Sequence, residues 1–261
     1  MTLMDPKERI ERGRRMQAEI LGAPAPEPAT IFESTWRDYI FAEVWTRPAL
    51  DRRSRYWIAI SSAAGALVQP EVLDGYVRGA LQEKIVTLEE LREAALHFAV
   101  YEGWSKGRFF DQAVTRIANE LGLPPAPFKT VRPEPWDPKV RDATGGAEFA
   151  RIMCTPEPPP KTAYFLGGIR GFVFSEMWNR PGLDQRARRW ITLVGVADSS
   201  SEIPIKSHVW AALDSEDATP EEMEEFVLQY ATQAGWPMAS FVQTTVMAMN
   251  QRFLESRQTK G

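Results

Sequence analysis

An internal repeat constrains the fold of this chain more than any other feature. Residues 41–58 return as residues 174–191, a shift of 133 positions, with the same residue types at many matching places. Agreement of this kind indicates two copies of one structural unit. We therefore predict a first repeat with an N-terminal extension at 1–122, a linker at 123–145 and a second repeat at 146–261. Identical pairs include Glu43 with Glu176, Trp45 with Trp178, Arg47 with Arg180, Asp51 with Asp184, Arg55 with Arg188 and Trp57 with Trp190.

The segment between the repeats is rich in proline, which favours an extended linker that wraps one unit onto the other. Carried backwards, the repeat pairs Gly13 with Gly146, which places the start of the second unit. The prolines of this segment are Pro124, Pro125, Pro127, Pro133, Pro135 and Pro138.

Helix start signals occur in both repeats, and no convincing alternating strand pattern is present. Asp51 and Asp184 each precede an apolar run and are typical N-caps. Thr87 and Thr219 each stand three residues before a glutamate, the pattern of a capping box. The sequence therefore predicts an all-α fold with the same helices in both repeats. The predicted helices are 52–66, 71–81, 88–101, 205–213 and 221–234, and Gly103 and Gly235 end two of them.

Composition excludes several classes of protein. The chain is 44% hydrophobic and 25% charged, without an apolar run long enough for a membrane helix, and its N-terminus is charged. We therefore expect a cytoplasmic protein. With 31 basic and 35 acidic side chains, the net charge of −4 does not favour nucleic-acid binding. One cysteine, Cys154, makes thiol redox chemistry unlikely to be the function, and two histidines are too few for a His-rich metal site.

Two long strings carry a family resemblance. Residues 45–55 read WTRPALDRRSR and residues 178–188 read WNRPGLDQRAR, and 96–103 and 208–213 add to the match. The chain resembles the γ-carboxymuconolactone decarboxylase family in both repeats. The resemblance implies the helical fold shared with alkylhydroperoxidase-D-like proteins, usually assembled as a ring of six single-repeat subunits. A tandem chain would then form a trimer that imitates a hexamer. The resemblance also implies ring-fission metabolism of aromatic acids and a reaction that needs no cofactor.

Departures from the family pattern narrow the range of candidate activities. Peroxidase-like members carry two cysteines ahead of a histidine, but those positions hold Ser201 and Pro204 before His208. A thiol peroxidase is therefore disfavoured. Pro204 also replaces the glutamate that decarboxylase members usually have one turn before this histidine. Tyr76 takes the place of His208 in the first repeat, and Gln229 takes the place of His97 in the second. Each half could therefore supply different groups to one composite site, or one site could be inactive.

Five residues form the predicted catalytic set. Arginine forks bind carboxylates, so Arg180 and Arg188 are expected to hold an acidic group of the substrate. Histidine exchanges protons near neutrality, so His208 is expected to transfer the proton. Glu202 or Glu176 would orient the histidine.

A second set is expected to bind a small acidic or aromatic substrate. An alternative interpretation places the arginines in structural ion pairs and the histidine and tryptophans in the core. We predict no metal site. The substrate-binding candidates are Arg47, Arg55, Tyr76, His97, Trp190 and Trp236.

These residues favour a cofactor-independent lyase that acts on a cyclic acid or lactone from aromatic or polyketide metabolism. The same proton-transfer groups would also serve dehydration, isomerisation or cyclisation. A non-catalytic binding or assembly protein with a degenerate site is a further alternative.

Overall fold

The structure is a computed structural model that describes residues 4–66, 69–132, 136–158 and 162–259. Every regular element within these ranges is a helix and none is a strand, so the predicted all-α class is confirmed. No helix within them is long and apolar enough to cross a membrane. In chain order the elements are α1 (Pro6–Leu21), α2 (Ile31–Thr35), π1 (Trp36–Val44), α3 (Arg52–Ala66), α4 (Pro70–Gln82), α5 (Leu88–Glu102), α6 (Trp104–Glu120), α7 (Pro138–Met153), π2 (Tyr164–Met177), α8 (Gln185–Asp198), α9 (Glu202–Asp214), α10 (Pro220–Ala234) and α11 (Trp236–Gln258).

Both halves of the chain run through the main elements in the same order. A long helix, α1 or α7, leads to a π-helical segment, π1 or π2, and four α-helices follow. This shared order is what a tandem repeat would produce, although the helices of the two halves do not form separate bodies. One large hydrophobic core contains residues of α1, π1, α3–α6 and α8–α11, and a smaller one lies between α7, π2 and α9.

The predicted helix starts depend on local hydrogen bonds that the structure contains. In the capping box of α5, Glu90 N donates to Thr87 Oγ1 at 3.2 Å and Thr87 N donates to the Glu90 carboxylate at 2.7 Å. Thr219 begins α10 with the same arrangement. Asp184 caps α8 by accepting from Ala187 N at 2.8 Å. Each of these bonds satisfies a donor that the first turn of a helix leaves free.

Some helix bounds differ from those predicted. α9 begins at Glu202 rather than at residue 205, because Pro204 lies in the first turn, where a missing N–H breaks no helical bond. α5 and α10 end at Gly103 and Gly235 as predicted, with φ of +91° and +86°. Glycine is favoured at both positions because L side chains rarely adopt such a φ.

Two π-helical segments lie where no helix was predicted. Their wider turns bond each N–H to the carbonyl five residues back, as Trp45 N does to Ile40 O at 3.1 Å and Trp178 N to Val173 O at 3.0 Å. Apolar side chains in such a segment do not follow the period of an α-helix. A search of the sequence for α-helical periodicity therefore does not find the two π-helical segments.

The central helices come from different halves. α8 packs against α3 and α5, and α3 also packs against α10. Side chains of α3 and α8 are buried on almost every face, including those of Tyr56, Trp57, Trp190 and Ile191. A helix that is surrounded in this way needs apolar residues all round.

The connection between the halves is shorter than predicted. α7 begins at Pro138, so residues 138–145 of the predicted linker are helical. Asp137 caps this helix by accepting from Lys139 N at 2.8 Å, and proline is tolerated at the first helical position. Residues 123–132 contain no regular element, as expected. Pro133 and Pro135 lie outside the described residues.

The structure also changes one of the residue pairs that the repeat predicted, the pair of Gly13 with Gly146. A Cβ on Gly13 would meet the Arg37 carbonyl oxygen at 2.6 Å, and a Cβ on Gly145 would meet that of Arg170 at 2.3 Å. Arg37 and Arg170 are related by the shift of 133 positions. Gly145 is therefore the structural counterpart of Gly13, and the predicted pairing with Gly146 is wrong by one residue.

The contact between α1 and α4 should be sensitive to a single methyl group. A Cβ on Gly79 would lie 2.0 Å from the Ile20 carbonyl oxygen, so Gly79→Ala must push the two helices apart. We expect the free energy of unfolding in urea to fall by about 1–3 kcal/mol. Gly167→Ala is the control, because its Cβ would meet no atom within 4 Å. An unchanged stability of Gly79→Ala would contradict this packing.

Candidate active site

A cavity of about 540 Å³ lies beside His208. Its volume is within the range of small-molecule sites. The wall combines residues from both halves, because α5 supplies two residues to a cavity otherwise built by the second half. Those that matter for the chemistry or the shape are Val100, Tyr101, Phe149, Phe174, Val196 and His208.

His208 is held in this wall as a neutral imidazole. Its side chain lies against the Tyr101 ring edge-on, with ring centroids 5.6 Å apart. Its Nδ1 is buried and has no hydrogen-bond partner among the described residues. Burial, and then the charge of Arg189, lower the pKa of His208 from 6.5 to about 3. The expected exchange of protons near neutrality therefore does not hold for the free protein, in which His208 is uncharged.

His97 lies behind the cavity rather than in its wall. Its Nε2 is 2.9 Å from Thr192 Oγ1, and its Nδ1 is 3.4 Å from the Arg188 guanidinium. Because an arginine only donates, Nδ1 accepts here and Nε2 carries the proton that bonds to Thr192. Burial, followed by the charge of Arg188, holds the pKa of His97 well below its usual value. The predicted substrate contact of His97 is not seen, since the side chain is only 1% exposed.

Tyr101 joins the two histidines. The Trp178 Nε1–H donates to the Tyr101 hydroxyl at 2.8 Å, while the Tyr101 ring packs against His97 at 5.3 Å and against His208. Sequence reasoning missed Tyr101. A signal was available, because Tyr101 follows His97 by four residues and therefore shares its face of α5.

Arg189 supplies a positive charge behind the cavity. Its guanidinium lies 5.0 Å from the centre of the Trp178 ring, donates to Asp217 at 3.0 Å and to the Ile152 carbonyl at 2.8 Å. The side chain is completely buried. Sequence reasoning missed this arginine as well. Arg189 directly follows Arg188 on the helix, and no local sequence pattern distinguishes the roles of the two residues.

Arg180 and Arg188 do not reach the cavity beside His208. The Arg180 guanidinium forms a fork on Glu93, with distances of 2.7 and 2.6 Å, and lines a different cavity of about 610 Å³. Arg188 donates to the Arg180 carbonyl at 2.7 Å and contacts His97. Burial lowers the pKa of Arg188 to about 10. The expectation that these arginines grip the substrate there does not match their placement.

Neither predicted glutamate orients His208. Glu202 is exposed and forms an ion pair with Lys206, one turn further along α9. Glu176 is buried and accepts from Arg141 at 2.5 Å and from Arg132 at 3.1 Å, in the cavity that Arg180 also lines. Both predictions are therefore corrected: one carboxylate faces solvent, and the other is held by arginines away from the histidine.

Arg47 and Arg55 are the first-half counterparts of Arg180 and Arg188, and they too are held by partners within the protein. Arg47 and Arg55 both pair with Glu225, at 2.6 and 2.9 Å, and Arg55 also donates to Gln229 at 3.0 Å. Their guanidinium groups are therefore occupied by carboxylate and amide partners within the protein. The predicted substrate contacts of these arginines are not present in the His208 cavity.

The remaining aromatic candidates lie elsewhere. Tyr76 is completely buried, stacks on Trp45 at 5.7 Å and accepts from Gln233 at 3.1 Å. Trp190 is a core residue that stacks on Phe226 at 6.0 Å. Trp236 is 51% exposed on the surface. None of the three lines the cavity beside His208.

The residues that the structure describes contain no group of three His, Cys, Asp or Glu side chains placed to hold a metal ion. The cavity beside His208 offers an imidazole, hydroxyl groups and apolar surface. These groups can move a proton and exclude water from a bound molecule.

Comparison with known proteins identifies the family. The family model described as "Carboxymuconolactone decarboxylase family" matches residues 32–115. A 4-carboxymuconolactone decarboxylase of Acinetobacter baylyi is 26% identical over 130 residues, which cover 47% of this chain and 96% of the relative. A nitrosuccinic acid decarboxylase of Metarhizium robertsii is 33% identical over 102 residues, covering 36% of this chain and 70% of the relative. The chain belongs to the carboxymuconolactone decarboxylase family.

The matched residues run from α2 into α6, in the first half of this carboxymuconolactone decarboxylase family member. The cavity beside His208 lies largely outside that range, and only Val100 and Tyr101 of its wall fall within it. The predicted family and its all-helical fold are thus confirmed, whereas the site is assigned from geometry alone.

The neutral state of His208 should be visible in solution. Because the chain has only two histidines, ring-carbon NMR resolves each of them, and His97→Gln assigns the pair. We expect the His208 signal to show no protonation between about pH 7 and about pH 5, since its pKa is near 3. A titration midpoint near 6.5 would contradict the buried, uncharged imidazole.

The same shift makes His208 sensitive to acid in folding. The unfolded chain protonates this histidine near its ordinary pKa of 6.5, but the folded chain does so only near 3, so its stabilising contribution is lost as the pH falls below 6.5. We expect wild type to lose about 2 kcal/mol more unfolding free energy than His208→Gln between about pH 7 and about pH 5. Equal losses in urea titrations would argue against the shift.

Proposed function

We propose that this protein is a cofactor-independent lyase that decarboxylates a small ring-containing acid or lactone in the cavity beside His208. The observation that carries the proposal is a neutral imidazole in the wall of a cavity from which a bound substrate would displace water. The names of the two relatives support a decarboxylase. The substrate is expected to derive from aromatic or polyketide metabolism.

Decarboxylation needs only a proton carrier and an electron acceptor. The substrate enters the cavity as the neutral acid and passes its carboxyl proton to His208. The bond between the carboxyl carbon and the substrate carbon then breaks, and carbon dioxide leaves. The electron pair enters a conjugated carbonyl of the substrate, and His208 returns the proton to the substrate carbon. No cofactor is required, because the conjugated carbonyl serves as the electron acceptor.

The surroundings of His208 favour the return of the proton. Burial and Arg189 both disfavour the charged imidazole, so a protonated His208 is a strong acid. Arg189, although paired with Asp217, lies close enough to lower the pKa of His208, and its charge would favour the negative charge that develops on the substrate carbonyl. Tyr101 fixes the orientation of the His208 ring, and Trp178 fixes the Tyr101 hydroxyl.

A dehydratase or isomerase is the second candidate function. A neutral imidazole is also able to abstract a proton from carbon at neutral pH, which is how either reaction begins. The mass of the product distinguishes the candidates, because decarboxylation removes carbon dioxide, dehydration removes water and isomerisation removes nothing.

Replacing His208 should abolish the reaction. With ring-containing monocarboxylic acids that carry a conjugated carbonyl as test compounds, we expect His208→Gln to lower carbon dioxide release by about 10²–10⁴-fold. The loss should fall on kcat, since glutamine keeps the size of the side chain while removing the proton carrier. Release would be followed by mass spectrometry.

Glu202→Gln is the matched control. Glu202 lies on the same helix as His208 but faces solvent, paired with Lys206. We expect its replacement to leave turnover unchanged. Full activity of His208→Gln, or equal losses in both variants, would contradict the assigned role of His208.

We also propose that three chains form a ring that imitates a hexamer. Trp104 and Trp236 begin α6 and α11, are 63% and 51% exposed, and pack against Phe172 and Tyr39 respectively. Exposed aromatic residues at corresponding positions of the two halves fit contacts between neighbouring chains.

Sedimentation equilibrium should therefore give about three chains per particle. The double substitution Trp104→Ala and Trp236→Ala should lower this number, because it removes both aromatic surfaces while leaving the core intact. A monomeric wild-type protein would exclude the ring.

A further inference from the structure

The cavity beside His208 is lined mainly by apolar side chains, together with several hydroxyl groups. Phe149, Val173, Phe174 and Val100 form its walls, and His208 lies among them. None of the described residues that line it carries a charge, once His208 is counted as neutral. An ionised group of a ligand would therefore find no opposite charge in direct contact there.

We propose that the substrate is a flat, largely apolar ring acid with one carboxyl group, and that a dicarboxylic acid is rejected. This inference rests on the proposed function, which assigns the carboxyl group that is lost to the neighbourhood of His208. A second carboxylate would enter the same apolar walls without a partner. Burial of an unpaired charge is strongly unfavourable.

The charges behind the wall suit a single anion. Arg180 and Arg188 lie close together and Glu93 pairs with Arg180, while no described carboxylate lies within ion-pair distance of Arg188. Arg189 is balanced by Asp217. Glu93 and Asp184 both act on the charge of Arg188, so the net positive charge behind His97 is small and does not compensate a second carboxylate in the cavity.

The rim of the cavity adds a preference for a hydroxyl group. Ser199 Oγ donates to the Val196 carbonyl at 2.8 Å, and Ser207 Oγ donates to the Pro204 carbonyl at 3.0 Å. Their protons are therefore used within the protein. Ser199 Oγ also accepts from Ser201 N at 3.2 Å, so one lone pair of Ser199 and those of Ser207 remain as acceptors. A hydroxyl on the edge of the ring remote from the carboxyl group would donate to them.

Two matched probes test the substrate class without requiring turnover. The first is a hydroxynaphthoic acid with its hydroxyl on the ring remote from the carboxyl, and the second is the naphthalenedicarboxylic acid that carries a carboxyl in place of that hydroxyl. We expect calorimetry at neutral pH to show at least about tenfold tighter binding of the first. Equal or tighter binding of the dicarboxylic acid, or no binding of either probe, would overturn the proposal.

A variant that adds a cation should change this preference. Ile203 lines the rim and is 81% exposed, so Ile203→Arg places a guanidinium there without disturbing the core. It should improve binding of the dicarboxylic acid several-fold, whereas the matched Ile203→Gln should not. A dicarboxylic acid that gains nothing from Ile203→Arg would contradict the idea that a missing charge partner excludes it.

Lys161 lies outside the described residues, and Lys161→Gln tests whether it acts as a cation for this cavity. We expect the variant to bind both probes as the wild type does. Weaker binding of the dicarboxylic acid to Lys161→Gln would overturn the proposal, because a cation would then serve the site.

The repeat provides a variant that blocks the cavity. Ile169 lines it, and the shift of 133 positions places Trp36 at the corresponding point of π1, which shows that such a segment accommodates tryptophan. We expect Ile169→Trp to abolish binding of both probes while the helical circular dichroism is retained. Undiminished binding would place the ligand elsewhere. If the probes bind as expected but no ring-containing acid releases carbon dioxide in the turnover assay described above, the proposed function is rejected and the substrate class stands.

Discussion

Two arginine–glutamate pairs with buried carboxylates hold the halves of the molecule together, and the first of them bears on the geometry of the cavity. Arg180 of the second half binds Glu93 of the first, and Arg47 of the first half binds Glu225 of the second. A carboxylate that is removed from water is unfavourable unless a cation pairs with it. Each ion pair therefore holds a helix of one half against a loop of the other. The first pair sets the position of α5, which carries both His97 and Tyr101.

Both halves contain an arginine–glutamate pair of this kind, but the residues next to the pair differ between the halves. His97 and Tyr101 meet Arg188 and Trp178 across one junction, whereas Gln229 and Gln233 occupy the corresponding places across the other. In the first half Tyr76 fills the position of His208 and is completely buried. If the two halves arose by duplication, one copy could keep the proposed site while the other stabilises the shared core.

The electrostatics of the site follow from the burial of several cations around uncharged groups. Arg188 and Arg189 act on His97, and Arg189 acts on His208; their charge adds to burial in holding the imidazoles neutral. A neutral histidine beside an apolar cavity suits a reaction in which the residue accepts one proton and then returns it. In the proposed reaction, the same positive surroundings would stabilise the negative charge that forms between these two steps.

The sequence predicted those parts of the structure that depend on neighbours along the chain. Asp184, Thr87 and Gly103 act on backbone groups within a few residues, so the helices they begin or end could be inferred from local chemistry. His208 was also identified as a candidate site residue from the sequence, by resemblance, and the structure places it at a cavity. The π-helical segments escaped prediction because their hydrogen bonds do not follow the period of an α-helix.

Tertiary structure alone decided which side chains meet. Arg180 was expected to hold a substrate, but its fork binds Glu93, which lies 87 residues earlier in the chain. Trp178 and Tyr101, which are 77 residues apart, form the hydrogen bond that fixes the cavity wall. Local sequence patterns cannot distinguish an arginine that is free for a ligand from one that is neutralised by the protein itself. That difference is set by the packing of α5 against α8, which brings together charges that are far apart in the chain.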